Sequence, residues 1–235
     1  MIAITFALPA ESSDFVQLLE NRGAVSREGV ETIRGHLHSK SVVVIHTGVG
    51  KKVSRERMET ILRREHFEYL ISAGFAGALE KDLQVGHLLV ADNFSSPKLL
   101  SSPKLVLADG KTFLGKLQTV PRMIETVEER ESLNKQTGAA AVDMETEILA
   151  EVCAAHDLPM LSLRAISDTA SEPFPAPAHV LLDVAKQKTD FLRLGSYLLT
   201  HPGAFARLNS FRGRVAVARK ALADALDTIL RADLL

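Results

Sequence analysis

The sequence has 235 residues, a length that fits one large α/β domain or at most two small ones. Apolar residues make up 46% of it, enough for a sizeable core, and a formal net charge of -1 does not favour binding to nucleic acid. The single cysteine, Cys153, excludes a disulfide framework within the chain. It lies in an apolar helical pattern, which predicts a buried thiol.

The sequence offers no sign of a membrane segment or a metal site. Its start, MIAITFALPAESSDF, lacks the basic region of a signal peptide, and no stretch reaches the roughly 18 apolar residues of a membrane span. We therefore expect a cytoplasmic protein. The eight histidines show no convincing ligand spacing, so we expect neither a metal ion nor another cofactor.

Short apolar runs alternate with amphipathic segments along the chain. Their patterns predict strands at 1–8, in two runs within 24–46, and at 69–73, 85–91, 112–120, 138–142 and 159–166. Helices are predicted at 11–21, 54–66 and 122–136, from the capping residue Asp143 onward, and at about 178–199 and 212–234. The segments 93–111 and 171–177 are predicted as loops. This alternation predicts an α/β fold with a largely parallel sheet covered on both faces.

Carboxylates and glycines stand where five of the predicted strands end. The five segments are Pro9-Ala10-Glu11, Thr47-Gly48-Val49-Gly50, Gly74-Phe75-Ala76-Gly77, Asp143-Met144-Glu145 and Ile166-Ser167-Asp168. Ligands of open α/β sheets bind outside the carboxyl ends of the strands. If these strands are neighbours, three carboxylates and two glycine turns converge on one cleft.

Each member of this set also has a purely structural interpretation. Glu11 and Glu145 can act as first-turn acids that interact with a helix macrodipole, and the glycines can be ordinary turn residues. Arg164 lies in a buried strand, where a charge needs a partner, and an Arg164–Asp168 ion pair would satisfy both groups. The combination is more specific than any single member.

The order of the motifs TGVGK, GFAGAL, VGHLLVAD, AVDMET and ISD resembles the nucleoside phosphorylase/nucleosidase superfamily over residues 1 to about 170. The block AVDMETEILAEVCAAHDLPMLSLRAISD is the most specific part. It looks closest to methylthioadenosine/S-adenosylhomocysteine nucleosidases, and futalosine hydrolases and hopanoid-associated adenosylhopane nucleosidases share much of the pattern. The resemblance implies one three-layer α/β/α domain with a mixed, largely parallel sheet, in which 201–235 is a possible helical appendage.

The resemblance also implies a role for each site residue. Asp168 matches the acid that protonates N7 of the departing purine, Glu145 the carboxylate that binds the ribose hydroxyls, and Glu11 the residue that orients or deprotonates the attacking water. The other implied positions are Met144 against the sugar, Ser167 and Arg164 as supports of Asp168, and Gly77 and Gly48 at the pocket. Phe75 departs from the family pattern and could form an apolar wall of the pocket. The sequence lacks the aromatic residue that stacks the base just before AVDMET, and Phe174 could take its place over the ligand.

The chemistry of an N-glycosidic bond calls for the same residue types. The sugar passes through an oxocarbenium-like state, and the leaving purine gathers negative charge that an acid must meet. The apolar strand before Asp168 offers surroundings that favour its protonated form. One further carboxylate can prepare water, and another can fix the sugar by accepting hydrogen bonds from its hydroxyls.

Three places in the sequence favour hydrolysis over phosphorolysis. The resembling phosphorylases have an Arg and a Ser where this sequence has Ser72 and Phe75, and a further Arg where it has PAESS. Because bidentate Arg is the usual phosphate ligand, we expect this site to bind a phosphate dianion poorly. Phe75 also departs from the small Ser of the methylthioadenosine nucleosidases, so the substrate stays open. The alternatives are an adenosylhopane nucleosidase, a futalosine hydrolase, a purine nucleoside phosphorylase and a non-catalytic nucleoside-binding protein.

The expected partner is a small purine nucleoside, with no nucleic acid. The segment HPGAFARLNSFRGRVAVARK is locally basic and amphipathic, which predicts a helix packed on the core or on a partner. A membrane-surface role is the weaker alternative. The superfamily resemblance implies a homodimer or larger homo-oligomer.

Overall fold

The computed structural model describes residues 1–101, 110–172 and 202–232. Within them the strands are β1 Ile2–Phe6, β2 Glu20–Arg27, β3 Val30–Leu37, β4 Lys40–His46, β5 Leu70–Ala78, β6 Leu88–Ala91, β7 Thr112–Gly115, β8 Leu117–Thr119, β9 Ala141–Asp143 and β10 Met160–Asp168. The helices are α1 Pro9–Leu18, α2 Lys51–Leu62, α3 Pro97–Leu100, α4 Val127–Thr137, α5 Thr146–Ala155 and α6 Pro202–Ala232.

The strands form a mixed sheet in the order β2-β3-β4-β1-β5-β10-β6-β7, with β9 pairing to both β5 and β8. At its centre β4, β1, β5 and β10 are mutually parallel, whereas β3 runs antiparallel to both β2 and β4, and β6 runs antiparallel to β10. The predicted α/β fold with a mixed, largely parallel sheet is confirmed. The parallel centre places the carboxyl ends of β1, β4, β5 and β10 along one edge.

The central strands form because their residues are apolar on both faces, as parallel strands covered by helices require. Every residue of β1, β5 and β10 is buried apart from Phe75, which is partly buried. Helices α1 and α6 cover one face, and α2 and α5 cover the other. Cys153 lies in the second layer, where burial raises the pKa of its thiol to about 12.

The last helix is part of the main core. Its apolar side packs against α1 and the sheet, with Ala218, Leu222, Ala223, Ala225, Leu226, Ile229 and Leu230 buried. The predicted core-packing amphipathic helix is therefore present. It begins at Pro202, ten residues before the predicted start. No helix in the described ranges is long and apolar enough to cross a membrane.

Two sequence predictions about the strands are wrong. The segment 24–46 contains parts of three strands instead of two, because the polar edge strand β2 precedes β3 and β4. The segment Gly74-Phe75-Ala76-Gly77 is extended strand in β5 and makes no turn. Its glycines serve close packing, as the site shows. The helix predicted at 178–199 lies outside the described residues.

Candidate active site

A small cavity of about 20 Å³ lies at the carboxyl ends of the central strands. Its walls include Glu11 from α1, Phe75 from β5, Glu145 from the start of α5, and Arg164 from β10. A volume of this size is enough for about one water molecule. The parallel topology thus brings together four of the predicted site residues, although they are distant in sequence.

Glu11 is fixed by backbone amides at the beginning of α1. Its Oε2 accepts a hydrogen bond from Leu8 N at 2.9 Å, and its Oε1 accepts one from Phe75 N at 3.2 Å. Burial raises the pKa of this carboxyl, and the amides of Leu8 and Phe75 and the charge of Arg164 partly offset the rise. Glu11 is therefore a carboxyl that can accept a proton more readily than an exposed glutamate.

Glu145 meets the glycine turn that follows β4. Its Oε1 accepts a hydrogen bond from Gly50 N at 3.2 Å, and Gly50 adopts a φ of 97°, a left-handed conformation that suits glycine. Burial, reinforced by the charges of Asp143 and Glu11, raises the pKa of Glu145 to about 8. The carboxyl therefore favours its protonated form at neutral pH.

Gly48, two residues before Gly50, makes no hydrogen bond to Glu145 in the described structure and instead connects two strand ends through its backbone. Its amide donates to Ala7 O at 3.0 Å, and its carbonyl accepts from Ser54 Oγ at 3.0 Å. Gly48 has a φ of 79° and ties the end of β4 to the end of β1. The turn is formed as predicted, and Gly50 is the glycine that contacts the acidic group.

The N–H groups of Arg164 all have hydrogen-bond acceptors among the residues beside the cavity. Its Nε donates to Asp143 Oδ2 at 3.1 Å, and its two Nη atoms donate to Ser72 O, Leu163 O, Ser72 Oγ and Thr146 Oγ1. These acceptors account for all five N–H groups of a guanidinium. Asp143 also accepts from Thr119 Oγ1 at 2.7 Å and from Thr146 N at 3.1 Å, so it anchors the start of α5.

Asp168 is completely buried at the end of β10, and its ion-pair partner is Arg130 of α4. The predicted Arg164–Asp168 pair is wrong, and so is the support of Asp168 by Arg164. Residues four apart on a strand are ~13 Å apart along it, too far for a contact. Ser167 does support Asp168, because its hydroxyl donates to Asp168 Oδ1 at 2.6 Å.

A β-bulge changes the direction of the side chains at this end of β10. Ile166 pairs with Ala76 and Asp168 with Gly77, so Ser167 is the additional residue on β10. A bulge of this kind turns the side chains that follow it, which is why bulges recur near active sites. The bulge places Ser167 beside the Asp168 carboxylate.

The glycines of β5 allow side chains to approach the strand closely. A Cβ on Gly77 would lie 2.9 Å from Asp168 Oδ2 and 3.0 Å from both Nη atoms of Arg130. A Cβ on Gly74 would lie 3.4 Å from Glu11 Oε1. The two glycines are three residues apart, ~10 Å along the strand, and mark the Glu11 and Asp168 ends of the site.

The remaining predicted residues fall into three situations. Met144 is partly buried between Asp143 and Glu145. Phe75 is partly buried and packs its ring against the main core, while its amide binds Glu11. Phe174 lies outside the described residues. Among the residues that are described, no cluster of three or more histidine, cysteine or acidic groups could hold a metal ion.

Arg130 is the residue that sequence reasoning missed. It is the buried residue of α4, whose sequence VEERESLNKQT is otherwise polar, and it is only 2% exposed. The pattern of this helix contains no signal that selects one of its charged residues for burial. The signal was the buried Asp168, which required a cation, but the sequence offered a nearer candidate in Arg164.

Comparison with known proteins agrees with this architecture. The family model of the phosphorylase superfamily matches residues 1–104 and 110–200. A 5'-methylthioadenosine/S-adenosylhomocysteine nucleosidase of Staphylococcus haemolyticus is 26% identical over 200 residues, which cover 73% of this chain and 87% of that protein. The chain therefore belongs to the phosphorylase superfamily.

Solved structures share the fold at low sequence identity. The 5'-methylthioadenosine/S-adenosylhomocysteine nucleosidase of Neisseria meningitidis, in complex with methylthio-immucillin-A, has a TM-score of 0.75 at 20% identity, with 99% of each chain covered. The futalosine hydrolase of Helicobacter pylori has a TM-score of 0.72 at 19% identity, with 97% of this chain and 96% of that chain covered.

Proposed function

We propose that the protein hydrolyses the N-glycosidic bond of a 5'-modified purine nucleoside of the methylthioadenosine/S-adenosylhomocysteine type and releases the base. The observation that carries this proposal is that β5 lies beside acidic side chains at two places, Gly74 and Gly77. Glu11 and Glu145, held by backbone amides, face the cavity near Gly74, and the buried Asp168 lies against Gly77. Similarity to the nucleosidases named above supports the same substrate class.

The proposed reaction uses water as the nucleophile. The water oxygen attacks C1' of the sugar while the C1'–N9 bond breaks, and the electron pair of that bond goes to the purine. Asp168 gives a proton to N7 of the departing base, and Glu11 takes a proton from the water. Glu145 accepts hydrogen bonds from the ribose hydroxyls and holds the sugar in line with the water, with Met144 beside it.

The surroundings of the cavity support hydrolysis over phosphorolysis. Arg164 is the basic side chain among the described residues that line it, and all five of its N–H groups already have protein acceptors. Ser72, which stands where related phosphorylases have an Arg, is fully buried and bonded to Arg164. Neither group is available to bind a phosphate dianion, which needs several donors.

A substrate panel with and without phosphate tests the proposal. The panel contains methylthioadenosine, S-adenosylhomocysteine, futalosine, inosine and an adenosylated lipid, and free base is measured by chromatography. We expect base release from at least one 5'-modified nucleoside at a rate that phosphate does not change. Strict dependence on phosphate would establish a phosphorylase instead, and binding of a nucleoside without base release would indicate a non-catalytic binding protein.

We also propose that the protein acts in the cytoplasm as a homodimer or larger homo-oligomer. An open groove of about 630 Å³ between β6, β7 and α6 supports a role for this side in association. Val217 lines this groove and is 52% exposed. An exposed apolar side chain in an open groove is a feature of many interfaces. Sedimentation of the purified protein measures the assembly directly.

A further inference from the structure

Both side chains of the Arg130–Asp168 ion pair are buried. The side chains of Arg130 and Asp168 are 2% and 0% exposed, and the pair packs directly on Gly77. Besides Asp168, the guanidinium donates to three backbone carbonyls. These belong to Ala78 at the end of β5, Thr169 after β10, and Ile124 before α4.

These acceptors use the whole hydrogen-bonding capacity of Arg130. Nε and one Nη2 hydrogen go to Ile124 O, the two Nη1 hydrogens go to Ala78 O and Thr169 O, and the second Nη2 hydrogen goes to Asp168 Oδ2. A group with three fixed backbone contacts cannot turn away from the carboxylate. Arg130 is therefore rigid relative to the ends of both β5 and β10.

We propose that Arg130 is a positioning residue that sets the orientation and charge of Asp168 during base departure. This inference rests on the proposed function. Arg130 holds Oδ2 while Ser167 holds Oδ1 at 2.6 Å, so the plane of the carboxyl group is fixed from both sides. One lone pair on each oxygen is left for a bound purine.

The charge of Arg130 matters at the moment of proton transfer. When Asp168 gives its proton to N7, a buried carboxylate forms, and such a charge is unfavourable unless it is paired. The guanidinium is already in place, so it stabilises the carboxylate as it forms without reorganisation. An interaction that strengthens toward the transition state increases kcat more than it lowers KM.

The remaining charged groups of the described site have other partners. Arg164 pairs with Asp143, and Glu11 and Glu145 are held by the amides of Phe75 and Gly50 around the cavity. Arg130 from α4 is the cation that contacts Asp168. A buried ion pair contributes little to stability compared with apolar residues of similar volume, so stability alone gives no reason for an arginine here.

A double-mutant cycle tests the proposal. The variants are Arg130→Gln, Asp168→Asn and the double variant, with Arg130→Lys as the conservative change. Arg122→Gln is the matched control. Arg122 likewise pairs with an acidic residue, Glu129 at 2.6 Å, but its side chain is 62% exposed. The measurements are kcat and KM for base release, the Kd for adenine and for hypoxanthine, and thermal unfolding.

We expect Arg130→Gln to lower kcat on the order of 10²-fold with a small change in KM, and Arg130→Lys to recover part of the loss. In the Asp168→Asn background, which itself removes most turnover, Arg130→Gln should cost no more than about threefold, because the group through which it acts is gone. Arg122→Gln should match the wild type.

Two results would overturn the proposal. Wild-type kcat in Arg130→Gln would show that Asp168 needs no such partner, and an equal loss in both backgrounds would mean a structural role. If Arg130→Gln does not fold, the neutral double variant compared with Asp168→Asn gives the same answer. If the wild type releases no base from any nucleoside, the proposed function fails, and the cycle measured on base affinity still decides whether the two residues act together.

Discussion

The close packing of Gly77 gives a sharp test of the site. Gly77→Ala adds one methyl group, whose carbon would lie 2.9 Å from Asp168 Oδ2 and 3.0 Å from both Nη atoms of Arg130. These contacts are several tenths of an ångström too short. Ends of side chains normally move aside, but Asp168 is held by Ser167, and Arg130 by three carbonyls. The pair must therefore shift as a unit or the strand must move.

The expected cost follows from this rigidity. Inserting a methyl group into a well-packed interior typically costs about 1–3 kcal/mol of unfolding free energy. A displacement of Asp168 by a fraction of an ångström to 1 Å should also lower kcat/KM on the order of 10²-fold. Urea unfolding measures the first quantity and base release measures the second.

Three other glycines separate the two effects. Gly35→Ala, where a Cβ would lie 2.9 Å from Leu19 Cβ and 3.0 Å from Glu20 O, is equally crowded but lies in β3, away from the site. It should lose stability and keep its kcat/KM. Gly74→Ala makes an ordinary 3.4 Å contact with Glu11, and Gly23→Ala meets nothing within 4 Å, so both should be mild.

The comparison has a clear contrary outcome. If Gly77→Ala is as stable and active as Gly23→Ala, the Asp168–Arg130 pair does not pack on this strand as described. If Gly77→Ala resembles Gly35→Ala, with lost stability and normal activity, the pair has no part in the reaction. Only combined losses support the site proposed above.

Two further predictions concern the carboxyls at the cavity. Burial raises the pKa of Glu145 from 4.5 to about 8, so the folded state binds this proton more tightly than the unfolded state. This contribution to stability is complete below pH 4.5 and is lost as pH rises toward 8, and Glu145→Gln should flatten that decline in urea unfolding at pH 5 and 8; parallel declines would contradict it. Glu11→Gln should lower kcat at least tenfold while the Kd for a nucleoside changes little, because its role is with water; an unchanged kcat would remove it from the reaction.

The sequence was sufficient to predict the strands whose structure depends on a pattern of apolar residues. The continuous apolar runs of β1, β4 and β10 predict buried parallel strands, and the parallel centre of the sheet then places Glu11, Glu145 and Asp168 at one edge. It was insufficient for β2, whose residues ENRGAVSR form an edge strand with mostly exposed side chains. An edge strand is specified by pairing with its neighbour more than by its own burial pattern.

The missed features of the site depend on contacts between distant segments. The glycines of GFAG look like turn residues locally, but in the fold they make room for Asp168 and Glu11, which come from other elements. Likewise, Arg130 and Asp168 are 38 residues apart, and Arg130 is one of several charged residues in α4. Sequence alone identifies a buried acid that needs a cation, but the choice of cation requires the packing of α4 against β5 and β10.

The four acidic groups of the site divide into two kinds, and the division matches the two halves of the proposed reaction. Asp143 and Asp168 each have a fixed arginine partner. Glu11 and Glu145 are held by backbone amides, and burial raises the pKa of each. The first two carboxyls are therefore held by side-chain cations, whereas burial makes the second two better proton acceptors than exposed glutamates.

This arrangement suits a reaction in which positive charge develops on the sugar. Burial, together with the charges of Asp143 and Glu11, disfavours the ionised form of Glu145 and raises the pKa of its carboxyl. A sugar that becomes cationic favours the ionised forms of Glu11 and Glu145, so their stabilising effect is greatest at the transition state. The arginine-paired Asp168 meets the base, where a group of fixed geometry is needed to direct a single proton to N7. The site therefore places carboxyls held by backbone amides beside the sugar and a carboxyl held by an arginine beside the leaving group.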